Sequence, residues 1–247
     1  MLPRMLVEIM VITAGCFVAA LVNAAVATGG VYIMLAASSA VLPLVAAIPM
    51  QAALAAPSLL ARIVTFWPHI HWRIFAMFAP AATVGVLIGA QVFIALDEGV
   101  ISVALGVLLL LLVWGVPKGI SLTLPHRFLY VGGLHGFFGT LFGVGLLLQP
   151  AILRTPLNRL QITGTLAMCL LVLEGMKAMS YVGVGFDYGD YWPHIVAGAV
   201  AGILGNFAGH RLSGGISERH FRTMFKLVVT LAGLRLLAKG VIDLGLF

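Results

Sequence analysis

Charge is what this chain has least of. Asp, Glu, Lys and Arg make up 9% of its 247 residues, against about 25% in an ordinary soluble domain. A soluble fold needs charge over its whole surface, so a chain 62% hydrophobic and this poor in charge has lipid as its solvent. Cysteine is nearly absent too. Cys16 and Cys169 each sit inside an apolar run, with no Cys-x-x-Cys and no Cys/His cluster, which argues against a disulfide framework or a metal site. Both read as packing residues. A dense basic face is also missing. The 14 Lys and Arg are scattered between apolar runs, so the net charge of +6 reads as loop ends beside an anionic leaflet and not as a nucleic-acid surface. No GxxxxGK[ST] stretch is present, and no soluble domain to hold a nucleotide.

What the chain does have is long apolar runs. Between Ile9 and Ala61 no Asp, Glu, Lys, Arg or His occurs, enough for more than two crossings at about 20 residues each. The start of this run is too long for the core of a cleaved signal and reads as the first membrane segment. Gly29-Gly30 and Pro43 punctuate it, predicting a helix to Thr28, a short return limb and a long helix over 44–65. Further runs lie at 74–96, 100–116, 128–153, 160–182, 191–209 and 221–241. The expectation is an all-α polytopic membrane protein with about eight long hydrophobic segments. Those around Gly29-Gly30 and Gly143–Gly145 are expected to be broken or re-entrant.

The chain also repeats itself. Trp72, Gly85, Gly89 and Glu98 recur at one constant spacing as Trp192, Gly205, Gly209 and Glu218. Gln51 and Gly30 have counterparts in Gln161 and Gly145 at slightly shorter spacings, as loop insertions would produce. Residues 1–117 and 128–247 therefore read as two membrane repeats joined by a linker over 118–127. The loop with Asp97 and Glu98 lacks Lys and Arg, whereas its counterpart carries Arg211, Arg219 and Arg222. By the positive-inside rule these equivalent loops lie on opposite sides, so the repeats are inverted and the linker is cytoplasmic. Lys239, near the outer end of the last segment, runs against that assignment.

Chemistry is expected at the glycine-rich breaks. A broken helix frees backbone N–H groups, and its N-terminus carries partial positive charge. In inverted-repeat transporters two such breaks meet near the midplane and hold substrate. Helix packing alone explains a pair such as Gly85/Gly89, but two breaks at matching places favour a site built from Gly29, Gly30, Gly143 and Gly145. Gln51 and Gln161 offer amide donors to an oxyanion, or serve as interhelical hydrogen bonds. Arg154, with Arg159 after it, suits the planar oxygens of a sulfonate, phosphate or carboxylate, or anchors a cytoplasmic loop. His135 lies within the second break as an anion donor, a proton carrier or a structural hydrogen bond.

Glu174 and Lys177, about one turn apart in an apolar segment, read as a proton- or ion-coupling pair or as an interfacial pair. Arg235 and Lys239 read as snorkelling cations. Trp67, His69, His71 and Trp72 read as part of an interfacial aromatic belt.

Several of these stretches together resemble one family. They are Thr28-Gly29-Gly30 followed by Pro43, Gly143-Val-Gly145 followed by Pro150, and Gln161-Ile-Thr-Gly-Thr165. To them are added Ala201-Gly202-Ile-Leu-Gly205 with Gly209, and Ile216-Ser-Glu-Arg219 with Phe225. The pattern resembles the TauE/SafE sulfite-exporter family of bacterial membrane proteins over nearly the whole chain. The first half departs from it around Asn23 to Thr28, where glycines are replaced, and in an extra stretch before Gln51. The resemblance implies a multi-pass protein of the bacterial inner membrane that moves sulfite, sulfonates or related anions, with the two Gly-rich segments as its site.

The expected function is secondary transport, outward or inward, of a small sulfur-containing anion by alternating access. The expected partners are that anion and the lipid bilayer, with proton or ion coupling and a homodimer open, and no cofactor, metal or nucleic acid. A non-transporting membrane scaffold and an intramembrane enzyme are the rival readings.

Overall fold

The computed structural model describes residues 2–26, 29–115, 126–145, 147–212 and 218–245. Thr28 and the expected linker through residue 125 lie outside the described residues. Among the described residues every element is helical and no strand occurs. The first half runs α1 (Leu2–Val26), α2 (Gly30–Val41), α3 (Leu44–Phe66), α4 (Trp72–Ala95) and α5 (Glu98–Leu110). A π-helical turn (Leu111–Gly115) extends α5. The second half runs α6 (Arg127–Phe142), α7 (Leu148–Leu153), α8 (Arg159–Gly183), α9 (Trp192–Leu212) and α10 (Glu218–Asp243).

Among the described residues, four stretches are long and apolar enough to cross a membrane: Arg4–Ala24, Leu44–His69, Trp72–Ala95 and Arg159–Gly183. Gly30–Val41 and Glu98–Trp114 are shorter apolar helices. The apolar run over 128–153 is not one helix, because it divides at Gly143 into α6 and α7. Large apolar side chains such as Val64, Met10, Phe207 and Met179 stand exposed. Such a surface is costly in water and ordinary in hydrocarbon.

The breaks have local causes. Gly29 (φ 96°) and Gly143 (φ 74°) take left-handed backbone conformations, which cost a residue with a Cβ about 1–2 kcal/mol. Leu42 closes α2 in an extended conformation at ψ 152°, the bias that a following proline, here Pro43, imposes. Helix α8 opens with a capping box. Asn158 Oδ1 accepts from the Gln161 amide at 3.0 Å, and Gln161 Oε1 accepts from the Asn158 amide at 3.2 Å.

The chain forms two compact units, and each draws on both halves of the sequence. The first comprises Met1–Ile48, Leu96–Gly119 and Gly189–Phe247; the second comprises Pro49–Ala95 and Ile120–Tyr188. Within the first unit α1 packs on α9 and α5 on α10. Gly205 and Gly209 of α9 lie so close to the Phe17 and Leu21 carbonyls of α1 that neither position has room for a Cβ. Gly240 of α10 likewise abuts the Gly99 carbonyl of α5. In the second unit α4 packs on α6, with Gly85 against the Gly133 carbonyl and Gly136 against that of Ala82. Without a hydrophobic driving force inside lipid, such backbone approach supplies the contact that holds helices together. The core of this unit includes Phe78, Val86, Phe128, Leu148, Cys169 and Leu173. Cys16 and Cys169 are buried free thiols that pack, as their settings predict.

One pairing occurs in both units. The opening helix of each half (α1, α6) packs on the matched-glycine helix of the other half (α9, α4).

Candidate functional site

Each Gly-rich break is held by a polar side chain from the helix before it. In the first unit Asn23 Oδ1, near the end of α1, accepts from the Gly30 amide that opens α2, at 2.9 Å. Gly30 sits directly against the Asn23 side chain and the Ala19 carbonyl, where no Cβ fits. In the second unit His135, 3% exposed, accepts at Nδ1 from the Leu147 and Leu148 amides at 3.2 and 3.1 Å. Gly145 lies against the far edge of the same ring, again without room for a Cβ. Two N–H donors at Nδ1 place the ring proton on Nε2. Nε2 is buried and has no hydrogen-bond partner among the described residues.

The amides expected to await an anion are therefore partly engaged. Gly30, Leu147 and Leu148 already donate to Asn23 or His135. Nε2 of His135 makes no hydrogen bond among the described residues, and Gly145 covers it.

The remaining predicted residues scatter. Gln51 is 1% exposed within α3. Gln161, its sequence counterpart, is half-buried at the start of α8 and belongs to the capping box. Arg154 is exposed at the C-terminus of α7, and Arg159 is exposed at the start of α8. Neither has the burial that would strengthen charge recognition. Among the described residues the buried cation is Lys177, whose side chain is 1% exposed and whose Nζ lies 2.7 Å from Glu174 Oε2; Glu174 is 12% exposed. One turn further along α8, the buried Tyr181 hydroxyl donates to the Thr140 carbonyl of α6.

Sequence reasoning missed three contributors. Asn23 was legible as part of the first break but not as the acceptor that matches His135; the signal was an amide or imidazole side chain shortly before each Gly-rich break. Glu98 accepts from the Leu44 amide at 2.9 Å and from Lys239 at 2.5 Å, so Lys239 is paired rather than snorkelling alone. Arg235 donates to the Ser39 and Ala40 carbonyls, both at 3.0 Å, and closes the C-terminal end of α2. That contact replaces the free snorkelling expected for it. At the expected aromatic belt, Trp67 and Trp72 meet edge to face at 5.3 Å, and the His71 amide donates to Thr165 Oγ1 at 2.9 Å.

Apolar helices of spanning length, with breaks at the left-handed Gly29 and Gly143, define a polytopic helical membrane protein. The chain matches the model of the sulfite exporter TauE/SafE family over residues 12–236, and it belongs to that family of membrane transporters. No curated protein and no solved structure matches it.

Proposed function

We propose that this protein is a secondary transporter of a small sulfur-containing anion, such as sulfite or an organosulfonate, working by alternating access between two inverted repeats, 1–117 and 128–247. The family match over residues 12–236 carries the reading. The recurrence of one pairing, α1 on α9 and α6 on α4, supports related halves that exchange helices. The proposed location is a bacterial inner membrane, and the energy comes from an ion gradient or from the anion's own.

In this reading Gly29, Gly30, Gly143 and Gly145 open the helices. His135 holds the second break, and Gln51 supplies a buried amide. Arg154 and Gln161 serve the approach to the site, since both stand nearer solvent. The test is flux into liposomes containing only the purified protein, offered labelled sulfite, methanesulfonate, sulfate and a cationic control. Saturable movement of one sulfur anion is the expected result. Absence of flux for every anion, from protein shown to be folded, overturns the proposal in favour of a scaffold.

A further inference from the structure

Trp114 and Lys226 come together at one end of the helix pair α5 and α10. The pair runs antiparallel, since Gly106 sits against the Gly233 carbonyl and Gly240 against that of Gly99. The end of α5 therefore lies toward the start of α10. There the π-helical turn presents Trp114, whose indole Nε1–H donates to Thr230 Oγ1 at 3.0 Å. One turn earlier on α10, Lys226 Nζ stands 5.1 Å from the centre of the same ring, within reach of a cation–π contact. The bond to Thr230 fixes the ring, and the ring holds the ammonium.

Both side chains are nonetheless exposed, Trp114 by 69%. A ring face attracts a cation without neutralising it, and an ammonium has three N–H donors to place. Among the described residues no carboxylate pairs with Lys226. The apolar surface beside it identifies what covers it. Val107 and Leu111 precede Trp114 along one stripe of α5 and its π-helical turn, and Leu227, Leu231 and Leu234 follow Lys226 along one stripe of α10. All five are exposed. In a membrane protein such a band meets acyl chains. It ends at a tryptophan and a lysine, side chains that favour the headgroup level. The flanking sequence adds Lys118, Arg211, Arg219 and Arg222 against one acid, Glu218. That balance suits an anionic leaflet.

We propose that Trp114 and Lys226 form a headgroup site for an anionic phospholipid. The ammonium donates to the lipid phosphodiester, the indole rests at the level of the glycerol, and an acyl chain lies along the exposed leucines. Lys226 favours an anionic lipid over a zwitterionic one, whose own choline already answers its phosphate. A lipid fits better than free phosphate, because the cation and the apolar band are continuous. The site belongs to the lipid-facing surface and is independent of the transport reading.

The experiment uses the full chain with Trp67, Trp72 and Trp192 changed to Phe, which leaves Trp114 as the single indole. It is placed in bilayers mixing phosphatidylglycerol and phosphatidylcholine, with bromine on the acyl chains of one lipid or the other. Bromine quenches the indole it touches. At equal mole fractions, brominated phosphatidylglycerol should quench Trp114 more, with a relative binding constant of about five. Lys226→Gln should bring that ratio to about one, and Lys226→Arg should keep it. Inorganic phosphate should do no more than sodium chloride of matched ionic strength.

Equal quenching by the two lipids, or a ratio that survives Lys226→Gln, overturns the proposal. Loss of the ratio with phosphate but not with sodium chloride would assign the site to the free ion and overturn the lipid assignment. Should the three-Phe chain fail to fold, the wild-type chain decides. Replacing phosphatidylcholine by phosphatidylglycerol should raise its unfolding midpoint more than that of Lys226→Gln, and equal rises are equally fatal.

Discussion

Lys239 Nζ lies 2.5 Å from Glu98 Oε1, and the same carboxylate oxygen accepts the Leu44 amide at 2.9 Å. One carboxylate thus joins the start of α5, the end of α10 and the first amide of α3.

Replacing Glu98 by Ala should destabilise the protein by about 1–2 kcal/mol, the sum of a lost helix cap and a partly exposed ion pair. Glu98→Gln should cost less, because its amide oxygen still accepts from Leu44. Thermal unfolding in detergent is the check. The order would be overturned if Gln proved as damaging as Ala.

His135 satisfies two amides, one of them fully buried, and Asn23 satisfies one that is partly buried. Each amide left without an acceptor costs about 1–3 kcal/mol. His135→Ala should therefore lower the unfolding midpoint more than Asn23→Ala does. Asn23→Asp, which keeps an oxygen in place, should fall between Asn23→Ala and wild type. Equal midpoints for His135→Ala and Asn23→Ala would overturn that order.

Gly85→Ala sets a methyl against the Gly133 carbonyl, whereas a methyl at Gly202 meets nothing within 4 Å. The first should cost about 1–3 kcal/mol by forcing α4 and α6 apart, and the second should leave the unfolding midpoint within about 1 °C of wild type. The pair is a matched control, since both glycines lie inside long helices and both changes add one methyl.

Arg235→Ala should leave the Ser39 and Ala40 carbonyls without their donor. The expected consequence is local: faster amide exchange along α2, by about tenfold, from the loss of about 1–2 kcal/mol at its C-terminal end. Unchanged exchange over Gly30–Val41 would show that Pro43 alone fixes this end.

Much of the architecture was legible because it is one-dimensional. Apolar runs interrupted by Gly29-Gly30, Pro43 and Gly143 announce helices and their breaks, since proline restricts its neighbour and glycine alone enters left-handed backbone cheaply. Gly85, Gly89, Gly205 and Gly209 were readable as close-packing points. The partner of each helix was not, since nothing in α1 says that Phe17 and Leu21 will meet α9 and not α4. The site was less legible still. Arg154 looked like the charge partner because arginine follows a break, yet it is exposed, and Lys177, read only as one half of a coupling pair, is the buried cation.

By itself the sequence determined the solvent, the helical class, the positions of the breaks and the family, because each follows from local composition or from residues close together in the chain. Tertiary structure alone decided which donors are taken and which remain. Asn23, Gln161 and Arg235 had several available partners in the sequence. The fold chose one set for each, because burial away from water leaves a polar group only the acceptors and donors that packing brings within about 3 Å.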